Sequence, residues 1–471
     1  MFRSYGRPLF AVLATLVAVS GCAGFSKDGG FSAVDSIVRE RIDKDVKWVK
    51  SESDAVQVRR TVQELLAHPL TVDAAVQIAL LNNRGLQATY AELGIAEADV
   101  VQAGRLKNPR FTYLHEKNST EARIERSLVF DFMQLVTMPL ATRLERGRFE
   151  ATQSRVAAAV LRVAMETRKA YFNSIAARQT ARYMEDVKVS AEAGAELARR
   201  MVGAGNWSKL AQAREQAFYA EATAQLARAR QNAVMRREQL MRLMGLWGAD
   251  INFELPDRLP DLPRAANEAS DIEAVALAQR LDIRAMKRDM ESLASSLGLT
   301  KATRFINVLE LGPADDREGN SAVKRGYEIS VELPIFSWGG AQTAKAEAIY
   351  MQAVNRAAEV AVNARSEVRE SYASYRTAFD LARHYRDEIV PLRKQISDEN
   401  VLRYNGMLIS VFELLADARE QVGSVNAYIE ALRDYWLADA ELQMALTGVA
   451  TPGAGERAPP MKTGGSMAGA H

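Results

Sequence analysis

Cysteine is all but missing. Cys22 is the only one in 471 residues, which excludes an internal disulfide framework, a four-thiolate zinc site and a cysteine-ligated iron–sulfur cluster. Histidine is nearly as scarce, with His68, His115, His384 and His471 far apart in sequence, so no metal site is expected. Neither sign of charge dominates, at 61 basic against 59 acidic side chains with no basic block, and nothing supports nucleic-acid binding. No nucleophile–base arrangement is recognisable. The run Gly339 to Lys345 follows a strand pattern and opens a helix, but it lacks the Gly-Lys-Ser/Thr ending of a phosphate loop. Neither enzyme activity nor a cofactor is expected beyond an N-terminal lipid.

What is present begins with an export signal. Arg3 and Arg7 precede the apolar stretch Leu9 to Val19, which ends in Ser20-Gly21-Cys22, the order of a secretory signal peptide over residues 1–21. The stretch is shorter than the ~20 apolar residues of a spanning helix. Val19-Ser20-Gly21-Cys22 resembles the bacterial lipoprotein processing box, and that resemblance implies acylation of Cys22. An ordinary signal peptide with an incidental cysteine is the alternative, and both export the chain. Residues 22–69 read as an anchor-proximal spacer with a short helix around Val38 to Trp48.

From Leu70 onward, runs of Ala, Leu, Glu, Arg and Gln predict long helices. The chain also repeats itself. Glu166-Thr-Arg-Lys-Ala-Tyr171 returns as Glu367-Val-Arg-Glu-Ser-Tyr372, 201 residues on, and Ala213-Arg214-Glu215-Gln216 returns unchanged as Ala418-Arg419-Glu420-Gln421 after 205. The four-residue drift is about one helical turn, which keeps an apolar face in register. Two halves, 70–255 and 265–450, are joined by a proline-rich linker at 256–264, and the tail 451–471 reads as disordered. Leu140 to Val202 and Ala341 to Tyr404 each predict a helix of roughly 90 to 100 Å. The first carries two apolar stripes, one through Val156, Val160, Val163, Thr167 and Ala170 and one through Leu161, Met165, Phe172 and Ile175, so it needs partners on two sides. A long coiled-coil bundle and a closed ring of helices both satisfy that.

Each half is interrupted by residues of period two. Tyr327, Ile329, Val331, Leu333 and Ile335 alternate with Glu328, Ser330 and Glu332, while Leu128, Phe130 and Phe132 alternate with Ser127 and Asp131. These are strands with an apolar and a polar face. Partners are expected at Arg110 to Glu116 and Phe305 to Leu311, with polar turns over Lys117 to Glu121 and Gly312 to Arg325. A sheet on soluble helices would explain the alternation. Export favours a barrel wall, with the apolar row toward lipid and the polar row toward a lumen. Four strands cannot close, so a barrel would be built between chains, of eight strands from two copies or twelve from three.

Taken together, the exported N-terminus, the duplicated helix–hairpin–helix halves, Asn108-Pro109 entering the first strand, Leu333-Pro334-Ile335-Phe336 leaving the last, and Arg403-Tyr404-Asn405-Gly406 before Val411 to Leu415 resemble the TolC-type outer-membrane efflux proteins. Val34 to Trp48 and the Arg-Tyr-Asn run look closest to the heavy-metal and copper resistance branch. The resemblance implies a mainly α fold with a small β part. Three copies would form a helical periplasmic tunnel topped by a 12-stranded transmembrane barrel. Function would be passive conduction of metal ions or small toxic compounds to the exterior, with a periplasmic adaptor and an inner-membrane pump as partners. It also implies a periplasmic tip at Gly203, Gly205, Asn206, Tyr404, Asn405 and Gly406, the glycines supplying positive backbone angles. The family's pore aspartates fall here on Phe412 and Leu415, so Phe412, with Glu413 and Asp417, is the candidate gate. The competing reading is a lipid-anchored periplasmic scaffold or adaptor with no pore.

Overall fold

The computed structural model describes residues 24–117, 121–268, 271–303, 308–319, 321–332, 335–336 and 338–448. The expected signal peptide, Cys22, Leu333 and the tail lie outside them. Two compact units emerge, each drawing on both sequence halves: one takes residues 24–59, 83–160 and 283–363, the other 60–82, 161–282 and 364–448.

In the first unit, α1 (Phe31–Ile42) starts earlier than the expected Val38. Its Phe31 packs edge-on to Tyr90 of α4 (Arg84–Ala103), with ring centroids 5.0 Å apart. Asn83 caps α4 by accepting from the Leu86 N–H. The segment before α1 is tied down by the buried Glu97, which accepts the Ser26 N–H at 2.6 Å. Four antiparallel strands follow one another in order: β1 (Arg110–Lys117), β2 (Ala122–Asp131), β3 (Leu309–Glu318) and β4 (Lys324–Val331).

The sheet corrects four expectations. Residues 312–318, expected in a turn, belong to β3, and Arg325 belongs to β4. On the polar face their acids are paired, Asp316 with Arg123 at 3.2 Å and Glu318 with Lys324 at 3.2 Å, so much of the charge placed in the ladder is compensated. Gly312 permits the close crossing of β2, where a Cβ would stand 1.8 Å from the Leu128 carbonyl oxygen. β4 ends at Val331, although the Glu332 N–H still donates to the Val308 carbonyl. Phe132 opens a helix instead of closing a strand, because the Asp131 carboxylate accepts the Gln134 N–H in the manner of a cap.

That helix, α5 (Phe132–Gly203), runs straight through Pro139, which had been expected to bound it. One missing N–H is outweighed by the turns on both sides. The Thr137 and Thr142 hydroxyls donate to the Met133 and Met138 carbonyls around it. Its two expected stripes are buried, with Val163 half-buried. In the second half, α9 (Gly340–His384) passes into a π turn at Tyr385–Ile389 and then α10 (Val390–Asn405). The wide turn ends two residues before Pro391, whose ring and absent N–H favour such a local widening.

The second unit holds α2 (Glu52–Leu66) in part, α3 (Val72–Asn82), α6 (Lys209–Met244), α7 (Ile272–Gln279) and α11 (Val411–Thr447), with α5 from residue 161 and α9 from residue 364; α8 (Leu281–Thr303) belongs mainly to the first. Its core includes Leu70, Ile78, Leu161, Ile175, Leu240, Met244 and Leu281. Each half closes in a related way. The Asn82 amide donates to the carbonyls of Met244 and Gly245 at the end of α6, while the buried Arg280 donates to Ala445 near the end of α11 and is held by Asp282 and Glu367. Orphan helix-end carbonyls are satisfied in both cases.

Candidate functional site

In the sheet, residues directly opposite across antiparallel strands share a face. The register pairs Phe111 with Leu128, Phe130 with Leu311, Leu311 with Ile329, and Leu309 with Val331. One face therefore presents a continuous apolar surface across all four strands. Tyr327, Ile329 and Val331 are exposed in the single chain, as are Phe111 and Tyr113, two outward aromatics that sequence reasoning did not single out. Their signal was the alternation through Phe111, Tyr113 and His115. Leu128 and Phe130 lie on this face half-exposed.

The opposite face carries Glu125, Asp131, Glu310, Asp316, Glu328 and Ser330, where acids outnumber the bases Arg110, Arg123 and Lys324. The bases are matched: Arg110 to Glu310 at 3.4 Å, Arg123 to Asp316 at 3.2 Å and Lys324 to Glu318 at 3.2 Å. Ser127, expected to face a lumen, is only 6% exposed, and its face-mate Val129 is buried too. The polar face is thus covered at that point. Strands β1 and β4 have no partner on their outer edges among the described residues.

The second cluster comprises two helix reversals in the second unit. After α5, the Gly205 N–H donates to the Val202 carbonyl and the Asn206 N–H to the Met201 carbonyl. After α10, Met407 donates to Tyr404 and Leu408 to Arg403 in the same pattern. Both are Schellman turns. Ser208 and Ser410 then cap α6 and α11 through their hydroxyls. Gly205 has φ 78°, as expected of a glycine there, but Gly406 has φ −79° and Met407 takes the left-handed position at φ 59°. Gly203 is the last residue of α5, and Asn405 of α10. Met407 and Leu408 are largely exposed and Tyr404 is partly so. Among the described residues no hydrogen bond joins the two turns.

Of the candidate gate residues, Glu413 is exposed and its N–H donates to Ser410 at 3.3 Å, while Asp417 is half-buried with an Oδ2 that finds no partner among the described residues. The side chain of Phe412 is outside the described set. Beside them lies a pair that sequence reasoning missed. Glu215 is 1% exposed and receives Nη2 of Arg419, whose guanidinium also covers the Phe218 ring at 4.6 Å. A cavity of about 210 Å³ adjoins the pair, lined by Tyr183, Gly194 and Leu415 among others. Both partners come from the repeated Ala-Arg-Glu-Gln, which was legible as a repeat but not as a contact.

Among the described residues no His, Cys, Asp and Glu cluster is arranged to hold a metal ion, and no helix is long and apolar enough to cross a membrane.

No protein-family model matches the sequence. The chain is 26% identical over 279 residues to the cobalt-zinc-cadmium resistance protein CzcC of Cupriavidus metallidurans, a stretch that spans 57% of this chain and 64% of the relative. Among solved structures, CusC, described in terms of folding and transmembrane channel formation, superposes with a TM-score of 0.68 at 17% identity over 80% of this chain and 92% of its own. The Campylobacter jejuni CmeC outer membrane channel gives 0.67 at 17% identity, over 88% and 92%. The fold is that of these outer-membrane channels. The resemblance read from the sequence, to outer-membrane efflux proteins, is borne out.

Proposed function

We infer that the chain is an outer-membrane efflux protein, the exit duct of a tripartite system, and that it conducts solutes passively from periplasm to exterior. The observation that carries this is the sheet: an apolar face continuous across four strands, an acidic and polar face behind it, and two unpartnered edges. Exposed apolar surface of that extent is stable only against lipid or a partner. Open edges in lipid leave backbone groups unsatisfied at several kcal/mol each. Closure by two further copies removes both costs and gives a 12-stranded barrel, with the long helices as a periplasmic tunnel.

In this reading the protein lies in the outer membrane, anchored by a lipid on Cys22 after removal of residues 1–21. A periplasmic adaptor meets the turns at Gly203, Gly205, Asn206, Tyr404, Asn405 and Gly406, and an inner-membrane pump supplies the energy. Phe412, Glu413 and Asp417 narrow the passage near those turns. The acid surplus on the polar face favours cations, and the name of the C. metallidurans relative suggests metal ions as cargo. No catalytic step is required of the chain.

The test is planar-bilayer conductance of the detergent-purified protein, with its mass measured alongside. A trimer giving discrete, cation-selective steps is the expected result. A monomer that never inserts would overturn the reading and favour a pore-free periplasmic scaffold.

A further inference from the structure

We propose that the turn-side end of the apolar sheet face is a binding belt for phosphate-bearing lipid headgroups, formed by Lys117, Arg126, Arg317 and Arg325. It rests on the channel reading above.

The register puts these four on the same side as the apolar residues. Arg126 stands opposite Tyr113, Asp315 is flanked by Arg126 and Arg325, Arg317 faces Ile124, and Lys117 faces Ala122. They continue the rows of Phe111, Leu128, Leu311 and Ile329 toward the hairpin turns, away from the helices. All four are exposed. Among the described residues none of them is in an ion pair, and Asp315, the acid of that band, lies between two arginines without bridging to either. Arg126 instead leans toward the Tyr113 ring, at 6.0 Å.

The other face of the same strands shows the contrast. There Arg110, Arg123 and Lys324 each have a carboxylate within 3.4 Å. Scarcity of acids therefore does not explain the bare belt, since the same strands carry enough acid to neutralise it and direct that acid to the opposite face. Unneutralised cations at the border of an apolar, lipid-facing surface are costly unless an anion meets them. In the channel reading this border lies at the headgroup level of the outer leaflet, where phosphates are. A guanidinium fork takes a phosphate with two parallel hydrogen bonds, and each base near a charged lipid surface strengthens binding. The bases are spread along an exposed band that adjoins apolar rows. That arrangement fits a headgroup whose acyl chains lie on Leu128, Leu311 and Ile329.

The experiment uses the full-length protein in detergent and native mass spectrometry. The probes are diphosphorylated lipid A, the same glycolipid without phosphates, and inorganic phosphate. Wild type should retain the phosphorylated lipid roughly tenfold or more better than the phosphate-free form, and should not retain inorganic phosphate. The quadruple variant Lys117→Gln, Arg126→Gln, Arg317→Gln, Arg325→Gln should lose that preference, while Arg110→Gln should keep it. Equal retention of the two lipids by wild type overturns the belt, and that comparison needs no variant to fold. Retention of inorganic phosphate at the same sites overturns the lipid assignment. A protein that conducts but shows no phosphate preference sinks the belt alone, whereas one that never inserts into a bilayer sinks the channel reading as well.

Discussion

Gly205 and Met407 hold the same position in two like turns 202 residues apart in the sequence, and both adopt a left-handed backbone, at φ 78° and φ 59°. Only the first is a residue for which that conformation carries no steric penalty. A side chain with a Cβ pays about 1 kcal/mol to sit there. The two reversals thus share a hydrogen-bond pattern but differ in local strain.

Opposite effects of alanine and glycine follow from that difference. Gly205→Ala should lower stability by about 1 kcal/mol, and Met407→Gly should raise it by up to the same amount. Thermal midpoints of the purified protein, followed by helical circular dichroism, test both. Equal and small shifts in the same direction would show that the second turn is not strained. If the exposed Met407 side chain contacts an adaptor, its glycine variant should gain stability and lose adaptor binding together.

How much of this was legible in the sequence depends on the range of the contact. The helices were readable because composition and apolar stripes act within a few turns, and Val156, Val160, Leu161 and Ile175 are buried as their spacing required. The alternation of Tyr327, Ile329 and Val331 gave the outward row. The length of β3 was hidden, since Asp315, Asp316 and Arg317 look like a solvated turn until Lys324, Arg325 and Arg126 are placed beside them. Met407 was hidden for a related reason: Gly406 is the residue that chemistry nominates, and the chain used its neighbour. The Glu215–Arg419 pair spans 204 residues, a distance over which no local pattern speaks.

That pair supplies a second test. Arg419→Met leaves the buried Glu215 carboxylate uncompensated and should cost about 3 kcal/mol, while Glu215→Gln, which leaves the half-buried Arg419, should cost less. Replacing both by apolar residues, Glu215→Leu with Arg419→Met, should recover most of the loss. A double-mutant cycle of thermal midpoints reads the coupling. Additive losses, with no recovery in the double variant, would mean that the two side chains do not depend on each other. Adaptor-dependent conductance of the same variants shows whether the pair also holds the turns shut.

The two faces of β4 should respond differently to one substitution. Ile329→Arg puts a charge on the apolar face and should disrupt membrane assembly, at roughly 2 to 4 kcal/mol near mid-bilayer. Ser330→Arg, one residue along, points to the acidic face and should be tolerated. The measurement is the yield of heat-resistant oligomer after refolding into vesicles. Equal yields would contradict a lipid-facing Ile329.

Acid should loosen the segment that precedes α1. The Asp28 carboxylate accepts the Ser32 N–H at 2.7 Å and the Gly30 N–H at 3.3 Å. The backbone of Ser32, then its hydroxyl, hold this carboxyl at about 2, below the ordinary 3.8. A carboxyl whose folded value is depressed stabilises fully above the unfolded value, and that contribution is lost as pH falls. For Asp28 the window runs from about 4 down to about 2. Asp54, held at about 2 chiefly by the Ser51 hydroxyl, titrates in the same range. The reporter is Trp48, whose ring lies under Lys50 Nζ at 3.8 Å while that ammonium donates to the Asp28 carbonyl at 2.9 Å. In a variant retaining only that tryptophan, emission should change over this window. Asp28→Asn should remove part of the transition and Asp54→Asn the remainder. A transition unaltered in both would assign the acid response to other carboxylates and leave the Asp28 turn without a stabilising role.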